Sequence, residues 1–196
     1  MNTIRSASVV ASIASALVAA SAASADFIDF TITGVASGQW MNGIYQGQSF
    51  TNKAFTINAR ALVENVLISP NPSISYVTNG SAAISLESYG DMAVTSSTLS
   101  AVWRGDGTFK MGLTNGLVLV NVANSAFSTW NLQSSLGPVT GTATWDPQNW
   151  GTTNGALRFS GSSAVTFTAV VTPVPAPGAI ALVGLAGLAG SRRRRA

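Results

Sequence analysis

Across residues 26 to 172, apolar and polar positions alternate with a period of two. Phe27-Ile28-Asp29-Phe30-Thr31-Ile32-Thr33 and Ala54-Phe55-Thr56-Ile57-Asn58-Ala59 show it most plainly, and it returns at Ala82 to Leu86, Phe109 to Leu113 and Ala164 to Val170. Successive side chains of a strand point to opposite faces, so this period predicts strands with one face on a core and the other in water. Leu117-Val118-Leu119-Val120-Asn121-Val122 is apolar and β-branched almost throughout and reads as a central strand. Asn42-Gly43, Asn79-Gly80, Asp106-Gly107, Asn115-Gly116 and Asn154-Gly155 punctuate these runs. Such pairs tolerate the positive φ of tight turns, so antiparallel hairpins are expected at them. Only Ala123 to Trp130 leaves room for a helical turn. Short strands at this spacing predict an all-β, antiparallel sandwich of jelly-roll type, forming one domain over 26–172.

The two ends follow different patterns. At the N-terminus Arg5 supplies a positive charge, Val9 to Ala20 an apolar core, and Ala23-Ser24-Ala25 the small-x-small pattern of a cleavage site. Residues 1–25 are therefore expected to form a signal helix, removed by signal peptidase after Ala25. At the other end, residues 173–177 hold three prolines, which exclude a helix or a sheet interior and predict a stiff linker. An apolar helix follows over 178–191, then a basic tail over 192–196. Its 13-residue core, Gly178 to Gly190, spans about 20 Å as a helix. A bilayer core is about 30 Å thick, so the segment is a marginal, provisional anchor. Arg192, Arg193, Arg194 and Arg195 should remain on the cytoplasmic side, leaving the body across the membrane.

Val174-Pro175-Ala176-Pro177, the apolar helix and the four arginines together resemble the PEP-CTERM sorting signal of exported proteins in Gram-negative bacteria. Ala176 stands where the family's Pro-Glu-Pro motif has Glu, a Val-Pro-Ala-Pro variant of the tail. The resemblance covers the last 23 residues or so. It implies that the chain is an exosortase substrate, held at the inner membrane until that enzyme removes the tail, and then found at the cell surface or outside. A plain C-terminal anchor is the other reading of the same segment.

Charge and residue types narrow the chemistry of the body. The chain carries 10 basic and 7 acidic residues, but five of the basic ones belong to the ends. Lys53, Arg60, Arg104, Lys110 and Arg158 against seven acids leave the body at net −2, without the basic stripe that a nucleic acid requires. Histidine and cysteine are both absent, which excludes Ser-His-Asp and Cys-His nucleophiles and the usual zinc or redox-metal ligands. No cofactor is expected, and no catalytic residue is assigned. What remains is carboxylate chemistry, for which Glu64 with Glu87 is the obvious pair. Asp26 with Asp29, and Asp146-Pro147-Gln148-Asn149, are either calcium ligands or turn caps.

The five tryptophans are Trp40, Trp103, Trp130, Trp145 and Trp150. Trp145-Asp146-Pro147-Gln148-Asn149-Trp150 puts two indoles around a polar turn, the composition of a glycan-binding platform, although large aromatics also fill sandwich cores. The sequence thus reads as an exported, non-catalytic surface or extracellular-matrix protein. The alternatives are a carbohydrate-binding module with Trp145 and Trp150 as its platform, and a carboxylate-dependent glycan-active enzyme.

Overall fold

The period-two segments all become strands. In a computed structural model, which describes residues 26–71 and 73–174, the chain forms thirteen strands and two short 3-10 turns, with no α-helix among the described residues. The strands are β1 (Phe27–Trp40), β2 (Ser49–Leu62), β3 (Leu67–Ile68), β4 (Ile74–Thr78), β5 (Ser81–Leu86), β6 (Gly90–Ala93) and β7 (Thr98–Trp103). They continue as β8 (Thr108–Leu113), β9 (Val118–Ala123), β10 (Leu136–Trp145), β11 (Trp150–Thr152), β12 (Gly155–Ser160) and β13 (Ser162–Thr172). Asp26–Thr172 is one compact unit. The two helices expected to flank it lie outside the described residues.

Every ladder is antiparallel, and all of them belong to one sheet in the order β3-β4-β7-β8-β9-β10-β13-β1-β2-β5-β6, with β12 and β11 branching from β1. The expected pair of separate sheets is therefore corrected to a single sheet, curled so that its inner face closes on one core. Short links enforce the curl. The chain passes from β2 to β3 through the 3-10 turn Val63–Asn65, and from β4 to β5 through Asn79-Gly80 alone, although each link joins strands far apart in the sheet order. Gly80 N donates to Arg60 O at 2.8 Å, tying this corner onto β2.

Asn79-Gly80 is thus a corner and not a hairpin. The Asn79 side chain is buried there; its Nδ2 donates to Thr98 Oγ1 at 2.9 Å and its Oδ1 accepts from Ser100 Oγ at 3.0 Å. Asp106-Gly107, Asn115-Gly116 and Asn154-Gly155 do link paired strands, β7–β8, β8–β9 and β11–β12. The helical turn within Ala123 to Trp130 is the 3-10 segment Ser125–Ser128, where Asn124 Oδ1 accepts from Ala126 N at 2.7 Å.

Alternation decides the faces. Ile28, Phe30 and Ile32 of β1, Ile57 and Ala59 of β2, and Val165, Phe167 and Ala169 of β13 point inward and are buried. Their alternates Asp29, Thr31, Thr33, Thr56, Asn58, Thr166 and Thr168 form the outer face. Burying a large apolar side chain contributes about 1.5–3 kcal/mol, and two aromatic groups concentrate that gain. Phe30, Phe109, Phe127, Trp130 and Phe167 form one group, with ring centroids 4.6–6.3 Å apart. Phe50, Phe55, Trp145, Trp150 and Phe159 form the other.

Strand β1 changes partner part-way. It pairs with β13 from Phe27 to Gly34 and with β12 from Ser37 to Trp40, while β2 follows its other edge through a bulge at Ala36–Gly38. At its start, Phe27 lies opposite Thr172, so the body begins and ends on neighbouring central strands, at the same end of both.

Candidate functional site

The pair of tryptophans offered by the sequence as a platform is internal. Trp145 is 8% exposed and Trp150 1% exposed. In β10 the threonines Thr140, Thr142 and Thr144 point outward, which gives Trp145 the inward direction of Ala143. Its indole stacks on Phe159 at 4.5 Å with an interplanar angle of 28°, and meets Phe55 edge-on at 5.3 Å. Trp150 opens β11 opposite Leu157 and packs edge-on against Phe159. In the turn between the two indoles, Asn149 Oδ1 accepts from Arg158 Nε at 3.0 Å and Asp146 N donates to Leu119 O. These side chains build the core and its rim, and neither ring is presented to a ligand.

Trp40 and Trp130 are buried as well, so Trp103, at 38% exposure, is the one indole of the five that meets solvent. Apolar parity along Thr98-Leu99-Ser100-Ala101-Val102-Trp103 points the other way, since it would bury Leu99, Ala101 and Trp103. The inversion has a local cause. Thr98 and Ser100 face inward to satisfy the buried amide of Asn79, and the register then turns Trp103 outward.

Lys110 of β8 reaches across to this ring, its Nζ 3.9 Å from the ring centroid. A cation over an indole gains about 0.5–1 kcal/mol at an exposed site, enough to hold the two side chains together. The next strands extend the surface in register: Trp103 faces Thr108, then Ala123, then Thr142, while Lys110 faces Asn121 and then Thr144. Thr108 Oγ1 and Asn121 Oδ1 are buried there without a hydrogen-bond partner among the described residues. Beyond β10 the outer face carries a row of hydroxyls, with Thr140, Thr166, Thr33 and Thr56 side by side on four strands.

The carboxylates do not converge. Glu87 follows β5, with its backbone N bonded to Ala54 O, whereas Glu64 lies beyond the far end of β2. The eight residue steps from Ala54 to Leu62 separate them by about 26 Å of strand, against the roughly 5–9.5 Å of a glycosidase pair. Glu87 instead caps a surface turn. Its carboxylate accepts from Ala54 N at 3.1 Å and meets Lys53 Nζ at 3.5 Å. The Ala54 N–H first, and Lys53 second, hold this carboxyl below the usual glutamate range. A depressed folded-state value contributes stability above the unfolded value, which is lost as pH falls through the folded one. An NMR titration of Glu87 should therefore give a midpoint below the ordinary one, and Lys53→Met should move it only part of the way back. A midpoint at the ordinary value would remove this assignment.

Asp29 and Arg60 form a bidentate pair at 2.6 and 2.8 Å on the outer face, and the hydrogen bond from Arg60 raises the guanidinium's already high pKa. Asn58, Ser81 and Ala83 share with this pair a shallow depression of about 420 Å³. Among the described residues no three acidic side chains gather as a metal site, around Asp26 and Asp29 or around Asp146. The Arg104 guanidinium of Arg104-Gly105-Asp106 turns back to Ser75 Oγ at 2.8 Å.

Of the sorting residues, Val174 is described and exposed, two residues past the end of β13. Ala23, Ala25, Pro175, Ala176, Pro177 and Arg192 to Arg195 lie outside the described residues. Among the described residues no helix is long and apolar enough to cross a membrane. Comparison of the chain with family models, with curated proteins and with solved structures finds no match.

Proposed function

We propose that this chain is an exported, non-catalytic surface or extracellular-matrix protein. Signal peptidase trims its N-terminus, and an exosortase-type enzyme trims a PEP-CTERM-like tail after transient anchoring in the inner membrane. The observation that carries the reading is the order of elements at both ends: a charged, apolar, small-residue leader, and a Val-Pro-Ala-Pro, apolar, tetra-arginine tail. Two features of the body support it. Phe27 and Thr172 are paired, so either end segment can be removed without interrupting a ladder of the sheet. The absence of His and Cys leaves the body without Ser-His-Asp or Cys-His nucleophilic machinery.

Mass spectrometry of the protein from its own cells, in membrane and extracellular fractions, tests this. The extracellular form should lack Met1 to Ala25 and end near Pro177, and deletion of Arg192 to Arg195 should leave it unprocessed. An extracellular product that still carries the four arginines would overturn the sorting reading.

Carbohydrate binding is the second reading, and the exposure of Trp103 favours it, on a different strand from the pair first considered.

A further inference from the structure

We propose that the outer face of β7, β8 and β9 around Trp103 and Lys110 binds an acidic sugar unit, a uronate, within a polysaccharide. Three observations converge on this patch. Trp103 is the exposed indole among the five, and an indole face accepts the C–H face of a pyranose as it accepts other apolar surface. Lys110 brings a cation to that ring and is matched to no carboxylate among the described residues. The other ammonium of the body, Lys53, is paired with Glu87, and Arg60 with Asp29. Next to Lys110, Asn121 Oδ1 and Thr108 Oγ1 find no partner among the described residues, and both are covered from solvent while Lys110 lies on the ring.

The patch also has a direction. From Trp103 the ladder runs through Thr108 and the small Ala123 to Thr142, three strand spacings or about 14 Å. The parallel row runs from Lys110 through Asn121 to Thr144. A chain lying across the strands would meet the indole and the ammonium at one end and hydroxyls at the other. Charge selects the acidic unit. The hairpin carries Arg104 and Lys110 against Asp106, a local surplus of one positive charge on a body that is negative as a whole. A uronate carboxylate can take the ammonium from the ring as a charge-assisted bond, which a neutral sugar cannot offer.

This inference rests on the exported reading only for where the protein meets such a polymer; binding itself is measured on purified protein, whereas sorting is measured by mass, so the two fail separately. The full chain in mild detergent is run in native gels containing polygalacturonate or neutral dextran, and its tryptophan fluorescence is titrated with tri-galacturonate. Retardation by polygalacturonate but not by dextran is expected, together with a fluorescence change on titration. Trp103→Ala and Lys110→Gln should each weaken trimer binding tenfold or more, with thermal melts unchanged. Trp103→Phe, which keeps a ring, should recover part of the loss and stands in if the alanine variant misfolds. Binding to dextran as strong as to polygalacturonate would overturn the proposal. So would retardation that persists unchanged in Trp103→Ala, with the arginine tail supplying the attraction.

Discussion

Phe167→Ala is expected to lower the unfolding free energy by about 3–5 kcal/mol. Phe167 is fully buried at the middle of β13, opposite Ile32 of β1 and Val139 of β10. Its ring lies 4.6 Å from Phe109, 5.0 Å from Phe127 and 5.6 Å from Trp130, so it joins β8, the 3-10 turn and the loop before β10 to the central strands. Truncation removes the apolar surface and opens a cavity whose walls sit on hydrogen-bonded strands, which collapse poorly. Urea unfolding followed by fluorescence should show a lower midpoint with unchanged slope. A loss below about 1 kcal/mol would mean that the outer arms of the sheet do not close on β13 as described.

The second large effect is expected at a position with no side chain. Gly38 sits in the bulge of β1, between β2 and β12. A Cβ there would fall on the carbonyl oxygen of Arg158 and the ring of Phe50. The oxygen belongs to backbone and cannot step aside, so Gly38→Ala should cost about 1–3 kcal/mol or more through overpacking. The loss should be local at first. β12 is held to the sheet by its ladder with β1, so amide exchange in β12 and β11 should accelerate before that of β13. Gly105→Ala, with nothing near its would-be Cβ, is the matched control and should change little. Equal behaviour of the two variants would refute the close approach of β1 and β12.

Much of the fold was legible because a strand declares itself locally. Phe27 to Thr33, Ala54 to Ala59 and Ala164 to Val170 alternate cleanly, and they form the centre of the sheet. Asn115-Gly116 and Asn154-Gly155 mark hairpins because a turn dipeptide specifies backbone angles. It does not specify that the flanking strands pair, which is why Asn79-Gly80 reads the same and is a corner. Strand order is non-local, and no short window records that the links after β2 and β4 jump to the other end of one curled sheet. The aromatic residues divide in the same way. The outward threonines of β10 already imply an inward Trp145, whereas Trp103 faces out because Val102 points inward together with Thr98 and Ser100, which answer a buried amide about twenty residues upstream.

The placement of β1 beside β13 also fixes how this body answers mechanical load. Tension applied to both chain ends acts on one antiparallel pair from its open end, where Phe27 faces Thr172, and parts its bonds one after another, as a zipper opens.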